Sequence, residues 1–99
     1  MFTRTFTVPN YNWIIELYEP TTGEWVKLSD SYNDRNWPEV HKALTPMVKQ
    51  WDCTDRAGNV LPITVEGVAQ LPLTVIRWLG LELDAALAAD SKPKNPSSS

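Results

Sequence analysis

The segment from Val48 to Leu83, VKQWDCTDRAGNVLPITVEGVAQLPLTVIRWLGLEL, constrains the fold more than any other part of the chain. A polar loop over 52–64, turning at Gly58-Asn59, leads into a strongly apolar stretch. Thr64 can cap a short turn of helix through Val68, and Pro72 suits the first turn of a longer helix. From there Leu73, Ile76, Leu79, Leu83 and Ala86/Leu87 recur at spacings of three and four. Val75, Trp78 and Leu81 widen that stripe. A helix this apolar is expected to bury more than one side, against the rest of the chain or against a second subunit in a homo-oligomer.

The N-terminal half reads differently. Residues 2–8, FTRTFTV, are β-branched and aromatic and stop at Pro9, as a strand does. Residues 13–19, WIIELYE, form a second strand, with Ile15 and Leu17 on the face of Trp13. Pro20-Thr21-Thr22-Gly23 has turn chemistry, so 24–28 is expected to return as the partner strand of a hairpin. After a polar loop over 30–35, Asn36 can cap a helix, with Pro38 in its first turn and Glu39 in capping-box position. Trp37, Val40, Leu44, Met47, Val48 and Trp51 draw one apolar stripe that crosses Pro46 in phase. This predicts a helix from 37 to about 51, kinked at the proline. A strand over 47–53 is the competing reading. Together these elements predict an α+β fold over 1–90: a β-hairpin or meander, a kinked helix and a long apolar C-terminal helix. Residues 91–99, SKPKNPSSS, are expected to be a disordered tail.

Ninety-nine residues suit one domain with one core. Five tryptophans are many for that length, and large aromatics serve both small cores and interfaces. The formal charge of −3, with scattered basic residues, argues against a nucleic-acid surface. There is no apolar run long enough for a membrane span, and the single Cys53 rules out an internal disulfide. His41 and Cys53 are each alone of their kind. A Cys–His dyad lacks anything to orient the imidazole, and a metal site lacks further ligands. Around Asp30, Asp34 and Asn36 an EF-hand would need a Gly at its sixth position and a Glu at its twelfth, where His41 stands. Trp25 and Trp78 are the candidates for an exposed sugar-stacking ring. These observations predict a protein that is not an enzyme and holds no cofactor.

Two resemblances bear on function. Thr64 to Trp78, TVEGVAQLPLTVIRW, resembles the helix-turn-helix of excisionase-like DNA-binding proteins, which begins T-x-E-x-V-A and carries V-x-R-W. Here Ala69 and Trp78 lie about one turn too close, Leu71-Pro72 replaces the glycine turn, and Arg77 alone would face DNA. Trp51 to Leu73, WDCTDRAGNVLPITVEGVAQLPL, is similar to a segment of the tail assembly chaperones of long-tailed, siphovirus-type phages. The shared pattern is a Trp, an acidic turn with Gly-Asn, Leu-Pro, Thr-x-Glu-Gly, and Leu-Pro opening an apolar helix.

That second resemblance implies a non-enzymatic protein of the host cytoplasm. It would bind apolar helices of the tape measure protein during tail morphogenesis, and help recruit the tail tube protein. The partner-binding surface expected on this reading is Leu73, Ile76, Trp78, Leu79 and Leu83, supported by Trp37 and Trp51. Members of the family often have a longer form made by a −1 frameshift, and Pro93-Lys94-Asn95 can be encoded by a slippery A-AAA-AAC heptamer. The alternatives are a small virion structural protein (head–tail or decoration) and the helix-turn-helix regulator.

Overall fold

A computed structural model describes residues 2–91. In chain order these form β1 (Thr3–Thr7), β2 (Ile14–Tyr18), α1 (Thr22–Asn33), α2 (Trp37–Leu44), a 3₁₀ turn at Thr45–Met47, β3 (Val48–Trp51), α3 (Val65–Ala69) and α4 (Leu73–Ser91). The class is α+β, with one antiparallel sheet in the order β1-β2-β3. The expected tail lies outside the described residues beyond Ser91, which itself ends α4. Among the described residues no helix is long and apolar enough to cross a membrane.

The hairpin joins the first two strands, not the second and a third. Thr3 pairs with Tyr18 and Phe6 with Ile15. The chain reverses between Val8 and Trp13, where Val8 N–H donates to the Trp13 carbonyl at 2.8 Å. Asn10 and Asn12 take positive φ there, 72° and 59°, which asparagine tolerates better than most side chains. Alternation along β2 then buries Ile15 and Leu17 and turns Glu16 outward, towards Thr3 and Gln50.

The strand expected over 24–28 is helical instead. Thr21 is the N-cap of α1: its hydroxyl accepts from Glu24 N–H at 3.2 Å, and the Glu24 carboxylate accepts from Thr21 N–H at 2.8 Å. That capping box makes the end of the supposed turn a helix start. Leu28 is fully buried, with Trp25 and Tyr32 half-buried one turn to either side. The helix also absorbs most of the polar loop expected over 30–35.

The helix expected over 37–51 is not continuous. α2 stops at Leu44, and Pro46 sits in the 3₁₀ turn. The chain then enters β3, as the competing reading had it. Pro46 withholds a donor from the helix, and β2 offers an unpaired side to which β3 bonds. Val48 lies opposite Leu17 and Trp51 opposite Ile15. Val48 and Met47 fit the apolar stripe of a helix and are buried in the turn and strand that form, so periodicity does not discriminate.

The loop after β3 follows expectation. Asp52 accepts from Ile14 N–H at 2.6 Å, and the Asp55 carboxylate accepts from the amides of Ala57 and Asn59, each at 2.9 Å. Gly58 supplies φ +90°. Thr64 caps α3 through Gly67 N–H at 3.1 Å. Gly67 has no room for a side chain, since a Cβ would stand 1.8 Å from the Pro62 carbonyl oxygen. Pro72 precedes α4 and its carbonyl accepts from Val75 and Ile76. α4 buries one side rather than several: Val75, Ile76, Leu79 and Leu83 are buried, whereas Leu73, Arg77, Leu81 and Asp84 face out, which leaves two leucines of this apolar helix in solvent.

Candidate functional site

α1 and α4 do not close on one another along their length. Between them runs an open groove of about 640 Å³. From α1 it takes Trp25, Ser29, Tyr32 and Asn33, which fall on one helical face at spacings of four, three and one. From α4 it takes Leu73, Arg77, Gly80, Leu81 and Asp84, again a single stripe. Arg35 and Trp37, at the corner into α2, complete the lining.

Tyr32 fixes the floor. Its hydroxyl donates to the main-chain carbonyl of Ile76, and its ring lies over Gly80. A Cβ at position 80 would be 2.6 Å from Tyr32 Cζ, so the contact depends on glycine. Burial pushes the phenol's pKa upward. Trp37 meets the Tyr32 ring edge-on, with centroids 5.9 Å apart at 89°.

Arg35 reaches the groove from a costly backbone position. It has φ 55°, immediately after α1, where Arg35 N–H donates to the Tyr32 carbonyl and Asn36 N–H to that of Ser31. This is the Schellman closure of a helix, whose left-handed residue is most often glycine. A non-glycine residue there costs roughly 1–2 kcal/mol. Arg35 and Arg77 are both exposed, and neither guanidinium makes an ion pair among the described residues. Asp84 is the one carboxylate among the lining residues.

Of the residues expected to bind a partner, the structure brings Leu73 and Trp37 into this groove. Ile76, Leu79 and Leu83 are each 1% exposed and belong to the core of the chain itself, so they present no surface. Trp78 is half-buried on another side of α4, edge-on to Phe6 at 6.4 Å, beside a smaller hollow of about 280 Å³ near Tyr11. Trp51 lies on β3 and donates through Nε1 to the Leu61 carbonyl at 2.8 Å. It ties the loop to the sheet. Nothing in the sequence groups Trp25, Tyr32, Arg35, Arg77, Gly80, Leu81 and Asp84 as one site. The signal that could have found the α1 contribution is the Thr21–Glu24 capping box, which converts Trp25 to Asn33 into a helical stripe. Arg77, the residue that the helix-turn-helix resemblance would turn towards DNA, lines the groove.

The two isolated nucleophile candidates lie elsewhere. His41 is on α2, its pKa lowered by burial. Cys53 is fully buried, and burial, then the charge of Asp52, pushes its thiol up to about 12. A thiol so held is not activated at neutral pH. Among the described residues no group of three or more His, Cys, Asp or Glu side chains is placed to hold a metal ion. No protein-family profile, curated protein or solved structure matches the chain.

Proposed function

We propose that the protein is a non-enzymatic binding module that holds an apolar helix of a partner protein in the α1–α4 groove. In its specific form, it is a tail assembly chaperone acting on the tape measure protein in the host cytoplasm. The observation that carries this reading is the groove itself. Two helices frame an open channel floored by Trp25, Tyr32 and Trp37, with apolar side chains left in solvent along its rim: Leu73 is 51% exposed and Leu81 71%. Such a channel suits an amphipathic helix laid along it. Its openness and length suit a protein segment better than a small molecule, which is usually enclosed. The resemblance over Trp51 to Leu73 supplies the choice of partner.

Co-expression with an apolar helical fragment of the tape measure protein tests the reading. The chain is expected to keep the fragment soluble and to copurify with it. Leu81→Asp is expected to abolish both effects while leaving the circular dichroism spectrum unchanged, because Leu81 makes little core contact. If the fragment behaves the same with and without the chain, the chaperone reading fails. Recovery of the chain in purified particles would favour a virion structural protein instead.

A further inference from the structure

Building on the binding reading, we propose that the groove selects a helix carrying a carboxylate beside its apolar stripe, which pairs with Arg35 and Arg77. The lining holds two arginines and one aspartate, on a chain whose formal charge is −3. The groove is therefore a cationic site on an acidic protein. Asp84 does not neutralise it. It stands two turns beyond Arg77 on α4, about 10 Å along the axis at 1.5 Å per residue, and among the described residues it forms no ion pair with either arginine.

Arg35 carries the argument further. The position closes α1 in a conformation that glycine adopts without strain, yet it holds a long cationic side chain directed at the groove. A residue kept where the backbone disfavours it points to use of its side chain. Guanidinium groups pair well with carboxylates, in a planar and often bidentate geometry. The occupant must also satisfy the apolar rim at Leu73 and Leu81. A nucleotide or free phosphate would leave that rim in water, whereas an amphipathic helix covers it. Along α4 the groove runs from Leu73 to Asp84, about 16 Å, enough for some three turns of partner helix. Four apolar anchors at i, i+4, i+7 and i+11, with an acidic residue flanking them, match this length.

The test is a tryptophan-fluorescence titration with two stapled synthetic helices that carry leucine at these four anchor positions and differ by Glu or Lys at the flanking position. The wild-type chain is expected to bind the Glu helix at least tenfold more tightly. Arg77→Glu is expected to reverse that preference. Arg35→Gly is the decisive variant, because it relieves backbone strain: its melting temperature is expected to rise while its preference for the Glu helix falls severalfold. Equal affinity for both helices would overturn charge selection and leave the apolar binding reading standing. If neither helix binds, this inference fails. The broader reading then survives only if the tape measure fragment is still retained. Competition by inorganic phosphate or single-stranded DNA at concentrations below those of the helix would overturn the proposal in favour of a general anion site.

Discussion

Gly80→Ala sets two known effects against each other at one atom. In a helix interior alanine is better than glycine by about 1 kcal/mol, and Gly80 lies well inside α4. On an open helix face the substitution would stabilise. Here the new Cβ would stand 2.6, 2.8 and 2.9 Å from Cζ, Oη and Cε1 of Tyr32. The ring must withdraw, yet Trp37 meets it edge-on and its hydroxyl is engaged by the Ile76 carbonyl. Overpacking of this kind costs about 1–3 kcal/mol, and loss of the hydrogen bond about 1 kcal/mol more. Setting these against the helix gain leaves a net destabilisation of about 1–3 kcal/mol. Urea denaturation, followed by tryptophan fluorescence and by far-ultraviolet circular dichroism, measures it. The control is the same substitution in a Tyr32→Ala background, where the clash partner is gone. There Gly80→Ala should stabilise by about 1 kcal/mol, so the sign inverts between backgrounds. The same sign and size in both would refute the claim that the Tyr32 ring rests on Gly80, and with it the geometry of the groove floor.

Gly67→Ala should be far worse, because the obstacle is the Pro62 carbonyl, a backbone atom that no rotamer change can move. A loss above about 3 kcal/mol, near the upper range for single substitutions, is expected in the same assay. Cys53 should resist alkylation by iodoacetamide in the native state at pH 8 and react on denaturation, as followed by intact mass. Burial, then the charge of Asp52, pushes its thiol from the ordinary 9.0 up to about 12 in the folded state. The folded state therefore holds the proton more tightly than the unfolded one. The associated stability is fully present below about pH 9 and is lost as pH rises from there towards 12. Denaturation midpoints across that window should fall, and a Cys53→Ala variant should show less of the fall.

Much of the fold was legible from local chemistry. Both N-terminal strands, the Gly58-Asn59 turn, the Thr64 cap and the start of α4 after Pro72 depend on residues close in sequence. The failures share a cause. Pro20 to Glu24 satisfies both a turn rule and a helix-start rule, and the outcome depends on whether Leu28 and Tyr32 find a core on that side. Met47 and Val48 match a helical stripe in sequence yet are buried in a turn and a strand, so their spacing cannot decide, and the unpaired side of β2 does. The groove was mostly illegible for the same reason. Trp37 and Leu73 stand out by type and position, but Trp25, Tyr32 and Gly80 come to one groove only once α1 is a helix facing α4. Ile76, Leu79 and Leu83 show the converse: a stripe read as an interface is the protein's own core.

The sheet order also decides how the molecule meets other extended chains. A three-stranded sheet has two outer strands whose free backbone groups can recruit a foreign strand. They are defended unequally. β3 is only four residues long, its pairing is shifted in register beside Glu16, and it carries the exposed Lys49. Irregularity, brevity and charge all discourage addition there. β1 is regular throughout its five residues, is flanked by the exposed Phe2, and shows Thr5 and Thr7 to solvent. Pro9 ends its run of donors, and among the described residues Arg4, which donates to Glu19, is the one charge that β1 carries. Among the described residues, the rim of β1 is thus the less defended of the two edges against strand-by-strand aggregation.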